Sequence, residues 1–349
     1  MQDIEIAGRK IGPGHPCFII AEAGVNHNGD VDMARRLIDA AAQAGADAVK
    51  FQTFKAERVA TRGAPKAEYQ LRTTDPAESQ LAMLQKLELA PESHAILMKA
   101  CEENKVLFLS TPYNIEDVDL LADLNVSAFK VASAQIVEPA FLRHVARKRK
   151  PVILSTGMAT LAEVDEAVRV IRETGNDQSV LLQCTTNYPS RPEDANLRTI
   201  QTMRAALGVH VGYSDHTQTA TACIAAVALG ACVVEKHFTM DKTMIGPDHP
   251  SSADHEEFRR LVVMIRETEA ALGTGLKQPM EAERRNALGM RRSIVAAVAI
   301  KSGIVITEDM LTYKRPGTGI PPNLLHQVVG RTATRDIPMD TLVDCKWLQ

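Results

Sequence analysis

Polar side chains stand at the ends of apolar runs in this sequence, and in three runs they come in pairs two positions apart. The pairs are Lys50 with Gln52, Ser214 with His216, and Glu235 with His237. Side chains two apart on a β-strand point to the same face, so each pair would face one cavity. Ammonium, hydroxyl, imidazole and carboxylate groups in one cavity can bind an anion, hold a divalent ion and transfer protons. The pattern therefore predicts an active site.

His216 and His237 lie 21 residues apart, about the length of one strand–helix unit. This spacing places the two imidazoles at the ends of adjacent strands, where they could bind one divalent ion. Two nitrogens with oxygens from Asp215, Glu235, water or substrate suit Mn²⁺, Zn²⁺ or Fe²⁺ better than Ca²⁺. With open coordination positions, such an ion would act as a Lewis acid on a carbonyl oxygen. The alternative is a pair of structural histidines held by hydrogen bonds.

A second group of strand-end residues supplies two ammonium groups and four hydroxyls. Its members are Lys50, Thr111, Lys130, Ser133, Ser155 and Ser214. Ammonium groups offer point charges to anions and hydroxyls orient them, so the set suits a phosphorylated carboxylate. Any single Ser or Thr could instead serve a turn or a helix N-cap. The convergence of the whole set favours anion binding.

Glu22 ends the first apolar run, shortly before the segment VNHNGD. A carboxylate there could bind a substrate hydroxyl or shuttle a proton, or it could pair with Lys50 or Lys130. Tyr188 and Asp248 fall on loops beyond the sixth and eighth runs. Both fit contacts to a sugar, although either could simply shape its loop.

Eight apolar runs end in these polar clusters and define the elements that must position them. They read CFIIAEAG, DAVKFQTF, VLFLSTP, SAFKVAS, PVILSTG, VLLQCT, VHVGYSD and CVVEKHFT. Helical periodicity lies between most of them, and this alternation favours a parallel sheet with crossover helices. Eight units in roughly 220–250 residues predict a closed (β/α)₈ barrel, whose active site lies at the C-terminal strand ends. An open doubly wound sheet is the alternative, but no G-x-G-x-x-G follows the first run.

The chain is expected to contain a barrel over residues 1–272, a linker over 273–289 and a β-rich domain over 290–349. The alternating start DIEI and its following turn predict a hairpin that plugs the bottom of the barrel. Residues 55–80 are polar and show no clear period. They are therefore either a functional lid or a plain insertion.

The composition argues against several classes of function. Forty basic and 43 acidic side chains give a net charge of −3, so the composition does not indicate a basic surface that binds nucleic acid. No apolar stretch reaches the roughly 20 residues that cross a bilayer, and the N-terminus lacks the apolar region of a signal peptide. The six cysteines show no C-x-x-C pair and are expected to be reduced core residues. We therefore expect a cytoplasmic protein without membrane or nucleic-acid partners.

Ten segments, in this order, resemble the sialic acid synthases, which make nonulosonic acids. They are AEAGVNHNGD, DAVKFQTF, STPYN, FKVAS, ILSTGMAT, CTTNYPS, GYSDHT, EKHFT, GPDHPSS and KRPGTGI. The resemblance covers nearly the whole chain, and the C-terminal part is similar to the antifreeze-like (SAF) domain of that family. It implies a TIM barrel followed by this small β-rich domain.

The resemblance also implies condensation of phosphoenolpyruvate with an open-chain N-acyl mannosamine, giving phosphate and a nine-carbon 2-keto acid. Phosphoenolpyruvate would bind Lys50, Thr111, Lys130, Ser133, Ser155, Thr186 and Ser214. The amino sugar would contact Glu22, Gln52, Tyr188, Asp248 and Arg315. His216 and His237 would hold the metal, Mn²⁺ in the first place, with Mg²⁺ or Co²⁺ as alternatives. Together with Glu22 and Glu235, these histidines form the catalytic group that we expect.

In the implied chemistry, C3 of the enol attacks the sugar aldehyde, which a metal held by His216 and His237 would polarise. Water then adds at C2 of the oxocarbenium ion, and the tetrahedral intermediate expels phosphate. The resemblance further implies a homodimer in which each C-terminal domain covers the partner's barrel. Arg315 would then act on the substrate held by the partner subunit.

Three departures from the family pattern bear on the substrate. Gln135 stands where we expect a Glu, and an amide cannot take a proton. Thr186 stands where N-acetylneuraminate synthases commonly have Asn. The segments CTT-x-YP and GPDH are more similar to the legionaminic acid branch, whose acceptor is 2,4-diacetamido-2,4,6-trideoxymannose.

Two other functions stay open on the sequence alone. Lys50 or Lys130 could form an imine with a ketone substrate, as in a Schiff-base aldolase. Alternatively, the protein could bind carbohydrate or ice through its C-terminal domain, with an inert barrel. The polar strand ends argue against this second alternative.

Overall fold

A computed structural model describes residues 2–349, in which eight parallel strands follow an N-terminal hairpin of β1 (Ile4–Ile6) and β2 (Arg9–Ile11). These strands are β3 (Phe18–Gly24), β4 (Ala48–Thr53), β5 (Leu107–Pro112), β6 (Phe129–Val131), β7 (Val152–Ser155), β8 (Ser179–Cys184), β9 (His210–Asp215) and β10 (Val233–His237). Their hydrogen-bonded order is β5-β4-β3-β10-β9-β8-β7-β6, and the two end strands lie side by side. The predicted barrel is confirmed, and it is nearly closed.

Helices follow every barrel strand. They are α1 (Val31–Gln43), α2 (Ala56–Val59), α3 (Glu68–Thr73), α4 (Gln80–Gln85), α5 (Pro91–Glu103), α6 (Ile115–Asp123), α7 (Pro139–Arg147), α8 (Leu161–Glu173), α9 (Thr199–Leu207), α10 (Thr221–Ala228) and α11 (His255–Leu272). Local sequence sets several starts: Asp30, Thr160 and Asp254 accept backbone N–H bonds as the N-caps of α1, α8 and α11. Four helices follow β4, the second strand of the barrel, because α2, α3 and α4 lie in the long connection before α5.

Alternation along the strands separates the two faces of the barrel wall. Side chains of one parity, such as Ile19 and Phe51, pack outward against the helices. Those of the other parity, such as Ile20 and Leu109, fill the barrel interior together with Ile4, Ile6 and Ile11 of the hairpin. The hairpin therefore closes the N-terminal end of the barrel, as expected. The inward-facing side chains near the hairpin are thus apolar. The inward-facing polar side chains lie at the opposite, C-terminal end of the strands.

The C-terminal residues form a compact unit of their own, running from Thr274 to Gln349. It starts with α12 (Glu281–Met290), which occupies the second half of the segment expected to be a linker. Two short strands, β11 (Ser293–Ala296) and β12 (Leu311–Lys314), pair in antiparallel fashion, and isolated bridges connect further extended segments. Buried apolar side chains, among them Ile294, Ile306 and Val328, give this unit its own core.

The structure also bears on the expectations about cysteines and membranes. All six cysteines are free, and five of them are buried. The expectation of a core position was wrong for Cys345, which is exposed because it lies on a short surface turn at the end of a small unit. No helix in residues 2–349 is long and apolar enough to cross a membrane.

Candidate active site

A cavity of about 410 Å³ opens at the C-terminal end of the barrel strands. It gathers fourteen of the fifteen site residues expected from the sequence. They are Glu22, Lys50, Gln52, Thr111, Lys130, Ser133, Ser155, Thr186, Tyr188, Ser214, His216, Glu235, His237 and Asp248. The fifteenth, Arg315, belongs to the C-terminal unit, where its guanidinium donates a hydrogen bond to the carbonyl of Met290.

Lys50 lies on the floor of the cavity and is buried among acceptors. Its Nζ is 2.6 Å from Glu22 Oε2 and 3.7 Å from Glu235 Oε2, and it donates to Thr111 Oγ1 at 3.1 Å. Burial alone would lower the pKa of this ammonium group, but the two carboxylates outweigh burial and raise the pKa above its ordinary value. Lys50 is therefore charged at neutral pH. The alternative in which Glu22 pairs with Lys50 is the arrangement present.

Lys130 supplies the second ammonium group of the floor. Its Nζ donates to Ser155 Oγ at 2.7 Å and lies 3.5 Å from Glu235 Oε1, which also accepts from Ser214 Oγ at 2.9 Å. Burial lowers the pKa of Lys130. For Glu235 burial acts in the opposite sense, but Lys130 and Lys50 hold the pKa of its carboxyl below the ordinary value. The floor is thus a buried network of two cations and two acids joined by hydroxyls.

The pKa of Glu22 is shifted in the opposite direction from that of Glu235. Burial raises the pKa of Glu22 to about 7, because Lys50 offsets only part of the cost of burying its charge. Near neutral pH this carboxyl can therefore either donate or accept a proton. Beside it, the Gln52 amide lies 3.5 Å from Glu22 Oε1 and accepts from the Tyr113 hydroxyl at 3.2 Å.

Two hydroxyls approach Gly157 closely at the edge of the floor. Ser133, which follows β6, accepts a hydrogen bond from the backbone N–H of Gly157 at 2.9 Å. A Cβ atom at position 157 would overlap the hydroxyl of Thr186 and lie 2.8 Å from Ser133 Oγ. Glycine at 157 therefore lets a backbone N–H and two hydroxyls converge, as an anion site requires.

The two candidate metal ligands lie side by side, with ring centroids 5.3 Å apart. The Nδ1 of His216 is 2.7 Å from the carbonyl of Thr185 and must donate to it, which leaves Nε2 free to bind an ion. The Nδ1 of His237 is buried without a hydrogen-bond partner, and the nearest carboxylate oxygen, Asp248 Oδ2, is 3.8 Å away. Burial and the neighbouring His216 lower the pKa of His237, so its ring is neutral.

These donors fit a divalent ion that takes two imidazole nitrogens and completes its shell with water and substrate. Within residues 2–349, no three His, Cys, Asp or Glu side chains form a metal-binding group. Two histidines are thus the whole set of protein ligands that the structure offers there. Tyr188 packs against them, with its ring 4.1 Å from that of His216.

The expectation that Asp215 supplies an oxygen to the ion was wrong. Its carboxylate points away from the cavity, where it pairs with Lys236 Nζ at 2.7 Å and accepts from the Tyr213 hydroxyl at 3.1 Å. The reason is strand parity, because Asp215 lies between the inward-facing Ser214 and His216. The carboxylate nearest to the histidines is instead Asp248, and burial raises its pKa to about 6.

The mouth of the cavity contains residues that the sequence reasoning missed. An apolar wall is formed by Val25, Val59, Met83, Leu84 and Leu87, with the ring of Tyr113 beside it. Tyr69 and Gln70 of α3 also line the mouth, and the Tyr69 ring lies 4.9 Å from that of Tyr188. The apolar spacing of Met83, Leu84 and Leu87 was a usable signal for a buried helix face. Nothing in the local sequence of α3 pointed to the cavity.

Gln135, the departure that removes a possible base, is buried on the short 3₁₀ helix Ser133–Val137. It is not among the residues that line the cavity in the described chain. Its amide oxygen has no hydrogen-bond partner in the structure. The structure therefore gives this position no direct access to a substrate.

Two family models match the sequence. The NeuB family matches residues 37–277 and the SAF domain matches residues 291–344. These matches confirm both the resemblance to sialic acid synthases and the nature of the C-terminal domain.

Individual relatives agree with the family matches. N,N'-diacetyllegionaminic acid synthase of Campylobacter jejuni is 45% identical over 93% of this chain and 98% of its own length. The enzyme of the same name from Legionella pneumophila is 42% identical over 95% and 94%. Among solved structures, an N-acetylneuraminic acid synthetase from Leptospira borgpetersenii superposes with a TM-score of 0.74 at 33% identity, covering 82% of this chain and 95% of that one.

Proposed function

This chain belongs to the NeuB family and is a nonulosonic acid synthase, and we propose that its acceptor is 2,4-diacetamido-2,4,6-trideoxymannose. The reaction joins C3 of phosphoenolpyruvate to the aldehyde carbon of the sugar and consumes one water molecule. The products are a nine-carbon 2-keto acid and inorganic phosphate. The observation that carries the reaction is the convergence of two buried ammonium groups, five hydroxyls and two histidines in one cavity, and the observation that carries the acceptor is the apolar wall at its mouth.

Phosphoenolpyruvate fits the floor because its two anionic groups match the two ammonium groups. On binding, Lys50 and Lys130 exchange contacts to Glu22 and Glu235 for contacts to phosphate and carboxylate oxygens. Hydroxyls of Thr111, Ser155 and Ser214 orient the substrate from the strands, while Ser133 and Thr186 contribute from the rim. Charged groups that are already buried and held by hydrogen bonds can stabilise charge that develops during the reaction.

Glu22 is the proton carrier in this proposal. Substrate anions on the floor favour its neutral form, since like charges in a buried site raise the pKa of a carboxyl. It can then give its proton to the aldehyde oxygen as the C3–C1 bond forms. Gln52 keeps the sugar oriented beside it. Water adds at C2 and returns one proton to Glu22. Breakage of the bond between C2 and the bridging oxygen then releases phosphate, which takes the proton of the new C2 hydroxyl.

His216 and His237 would hold a divalent metal ion, with Mn²⁺ as the first candidate and Mg²⁺ or Co²⁺ as alternatives. When bound, such an ion supplies Lewis-acid activation of a carbonyl oxygen. Asp248 and Tyr188 border the histidines and would contact the hydroxyls or amides of the sugar.

The character of the mouth supports a sugar that is deoxygenated and acylated. Methyl groups at C6 and on the acetamido substituents would pack against the wall that includes Met83 and Leu87. Within a single barrel a 6-phosphate would find no free cation, because the lysines among the lining residues are Lys50 and Lys130, both buried and paired on the floor.

The test is phosphate release from phosphoenolpyruvate with Mn²⁺ and three acceptors, after removal of bound metal with EDTA. The acceptors are N-acetylmannosamine, its 6-phosphate and 2,4-diacetamido-2,4,6-trideoxymannose. We expect the highest kcat/KM with the third. Equal or better use of the 6-phosphate would overturn the assignment of the acceptor, and no release with any of the three would overturn the reaction. A borohydride-trapped adduct would favour the aldolase alternative.

We extend the proposal to assembly: two copies form a domain-swapped homodimer, and Arg315 of each completes the sugar site of the other. Mixing Lys50→Met and Arg315→Ala variants tests it. With action in trans, a mixed dimer has one barrel with an intact Lys50 and the partner's intact Arg315, so activity returns on mixing. With Arg315 acting on its own barrel, no site is intact and the mixture stays inactive.

A further inference from the structure

Lys66 is a buried lysine that lies outside the cavity. Its side chain is only 2% exposed. The ammonium group donates to Thr74 Oγ1 at 2.9 Å, to the carbonyl of Asp75 at 2.7 Å and to Glu78 Oε1 at 3.1 Å. An ammonium group has three protons, so each proton has an acceptor. Such complete pairing is what a buried cation needs.

The three acceptors all lie beyond α3, whereas Lys66 lies just before it. Lys66 therefore ties the beginning of this helix to its end. Thr74 uses its own hydroxyl proton on the carbonyl of Gln70 at 2.7 Å, which leaves its oxygen to accept from Lys66. The helix has six residues and none of them is buried. A helix of this length does not persist through its own hydrogen bonds, so α3 needs contacts from outside, and Lys66 supplies three of them.

α3 in turn carries part of the cavity wall. Tyr69 and Gln70 line the mouth, and the Tyr69 ring packs 4.9 Å from that of Tyr188. The hydroxyl of Thr73 donates to the carbonyl of Pro247 at 3.4 Å, next to Asp248. The helix thus contacts Tyr188 directly and Asp248 only through the neighbouring Pro247, and it forms no hydrogen bond with the lysines of the floor.

We propose that Lys66 is a positioning residue for the acceptor sugar: it fixes α3 so that Tyr69 and Gln70 complete the sugar side of the cavity, without touching substrate itself. This inference rests on the proposed function, because the sugar side is defined by it. Loss of Lys66 should therefore weaken binding of the sugar and not of phosphoenolpyruvate, since phosphoenolpyruvate binds on strands that Lys66 does not contact.

The test compares Lys66→Met with Lys86→Met. Lys86 is a matched control because its Nζ is 2.5 Å from the other oxygen of the same Glu78, but its side chain is 70% exposed. For Lys66→Met we expect the KM for the sugar to rise about tenfold or more while the KM for phosphoenolpyruvate changes less than about twofold. Lys86→Met should leave both values near wild type. An unchanged sugar KM in Lys66→Met, or an equal rise in both KM values, would overturn the inference.

Limited proteolysis gives a second readout that needs no activity. Trypsin should cut Lys66→Met faster than wild type at Arg62 and Arg72, which are exposed on either side of Tyr69, and Lys86→Met should be cut at the wild-type rate at these two sites. Equal cutting of Lys66→Met and wild type would contradict the proposed role. Because this result does not depend on turnover, a wild-type protein inactive on all three sugars would refute the proposed function without deciding the question about Lys66.

Discussion

The floor and the mouth of the cavity are built in different ways. The floor consists of inward-facing side chains on barrel strands, where Glu22, Lys50 and Glu235 are buried and paired with opposite charges. The mouth consists of short helices and loops, where Met83 and Tyr69 present apolar and aromatic surface. The floor is therefore suited to the proposed anionic substrate, and the mouth to the proposed acceptor sugar.

The floor and the mouth also differ in the free-energy cost of burying charge. Buried ion pairs add little to stability by themselves, because removing charges from water costs about as much as their attraction returns. The proposed anionic substrate would account for their presence on the floor. The apolar wall of the mouth involves no such cost, but the short helix α3 needs support from outside the cavity, which the buried and fully paired Lys66 provides.

The largest expected effect comes from replacing Lys50 with Met. The substitution removes one of two cations for phosphoenolpyruvate and leaves Glu22 and Glu235 with less compensation. We expect kcat/KM for phosphoenolpyruvate to fall by about 10³-fold or more, measured by phosphate release. Lys236→Met is the matched control, because Lys236 is equally buried but faces away from the cavity. It should lower the melting temperature and cost far less activity; equal loss in both variants would contradict the special role of the floor.

The next effect concerns the histidine pair. His237→Ala removes one of two ring nitrogens, so the dissociation constant for Mn²⁺ should rise by about 100-fold or more. Titration of the metal-free protein with Mn²⁺, followed by calorimetry or electron paramagnetic resonance, measures this without turnover. The half-exposed His144, which pairs with Asp119 on the outside of the barrel, offers the control His144→Ala. Unaltered Mn²⁺ affinity in His237→Ala would refute the metal assignment.

Glu22 gives the floor a pH dependence that the apolar wall cannot have. Its pKa is about 7 in the folded protein against an ordinary value of 4.5, so the folded protein keeps a proton that the unfolded chain releases. The corresponding stability is complete below about pH 4.5 and is lost as pH rises through about 7. Wild type should therefore lose about 2.5 kcal/mol relative to Glu22→Gln between pH 5 and pH 8.

Urea unfolding at intervals across this range measures the difference in free energy. The exposed Glu5 provides the control, because Glu5→Gln should run parallel to wild type over these pH values. A constant difference between Glu22→Gln and wild type from pH 5 to pH 8 would show that Glu22 is charged throughout.

The smallest effect is expected at the wall of the mouth. Met83→Gln places an amide where we expect methyl groups of the sugar, so the KM for the sugar should rise about fivefold while the KM for phosphoenolpyruvate stays the same. Leu71→Gln, in the same connection but exposed and outside the cavity, should change neither value. A rise in the KM for phosphoenolpyruvate in Met83→Gln would remove the distinction between floor and mouth.

The same comparison separates what the sequence predicted from what it did not. Inward-facing residues of the floor were predictable because strand periodicity is local, as the pairs Lys50 with Gln52 and Glu235 with His237 illustrate. The error at Asp215 came from using closeness in sequence to His216 where parity should have decided. Both successes and error thus follow from the two-residue period of a strand.

The mouth was not predictable for a physical reason. α3 is too short for a helical period to be detected in its sequence. Its position depends on contacts of Lys66 with residues 8 to 12 positions away. Tyr69 meets Tyr188 only once the whole barrel has formed, because the two residues come from connections after different strands. Single-residue preferences carry no information on such contacts.

The most direct test of the central account follows the bridging oxygen of phosphoenolpyruvate. With ¹⁸O between C2 and phosphorus, and with 2,4-diacetamido-2,4,6-trideoxymannose as acceptor, mass spectrometry of both products shows which bond breaks. We predict that the label leaves entirely with inorganic phosphate and that a nine-carbon 2-keto acid forms without it. Label retained in the keto acid would mean that the bond to phosphorus breaks, and it would contradict the proposed reaction.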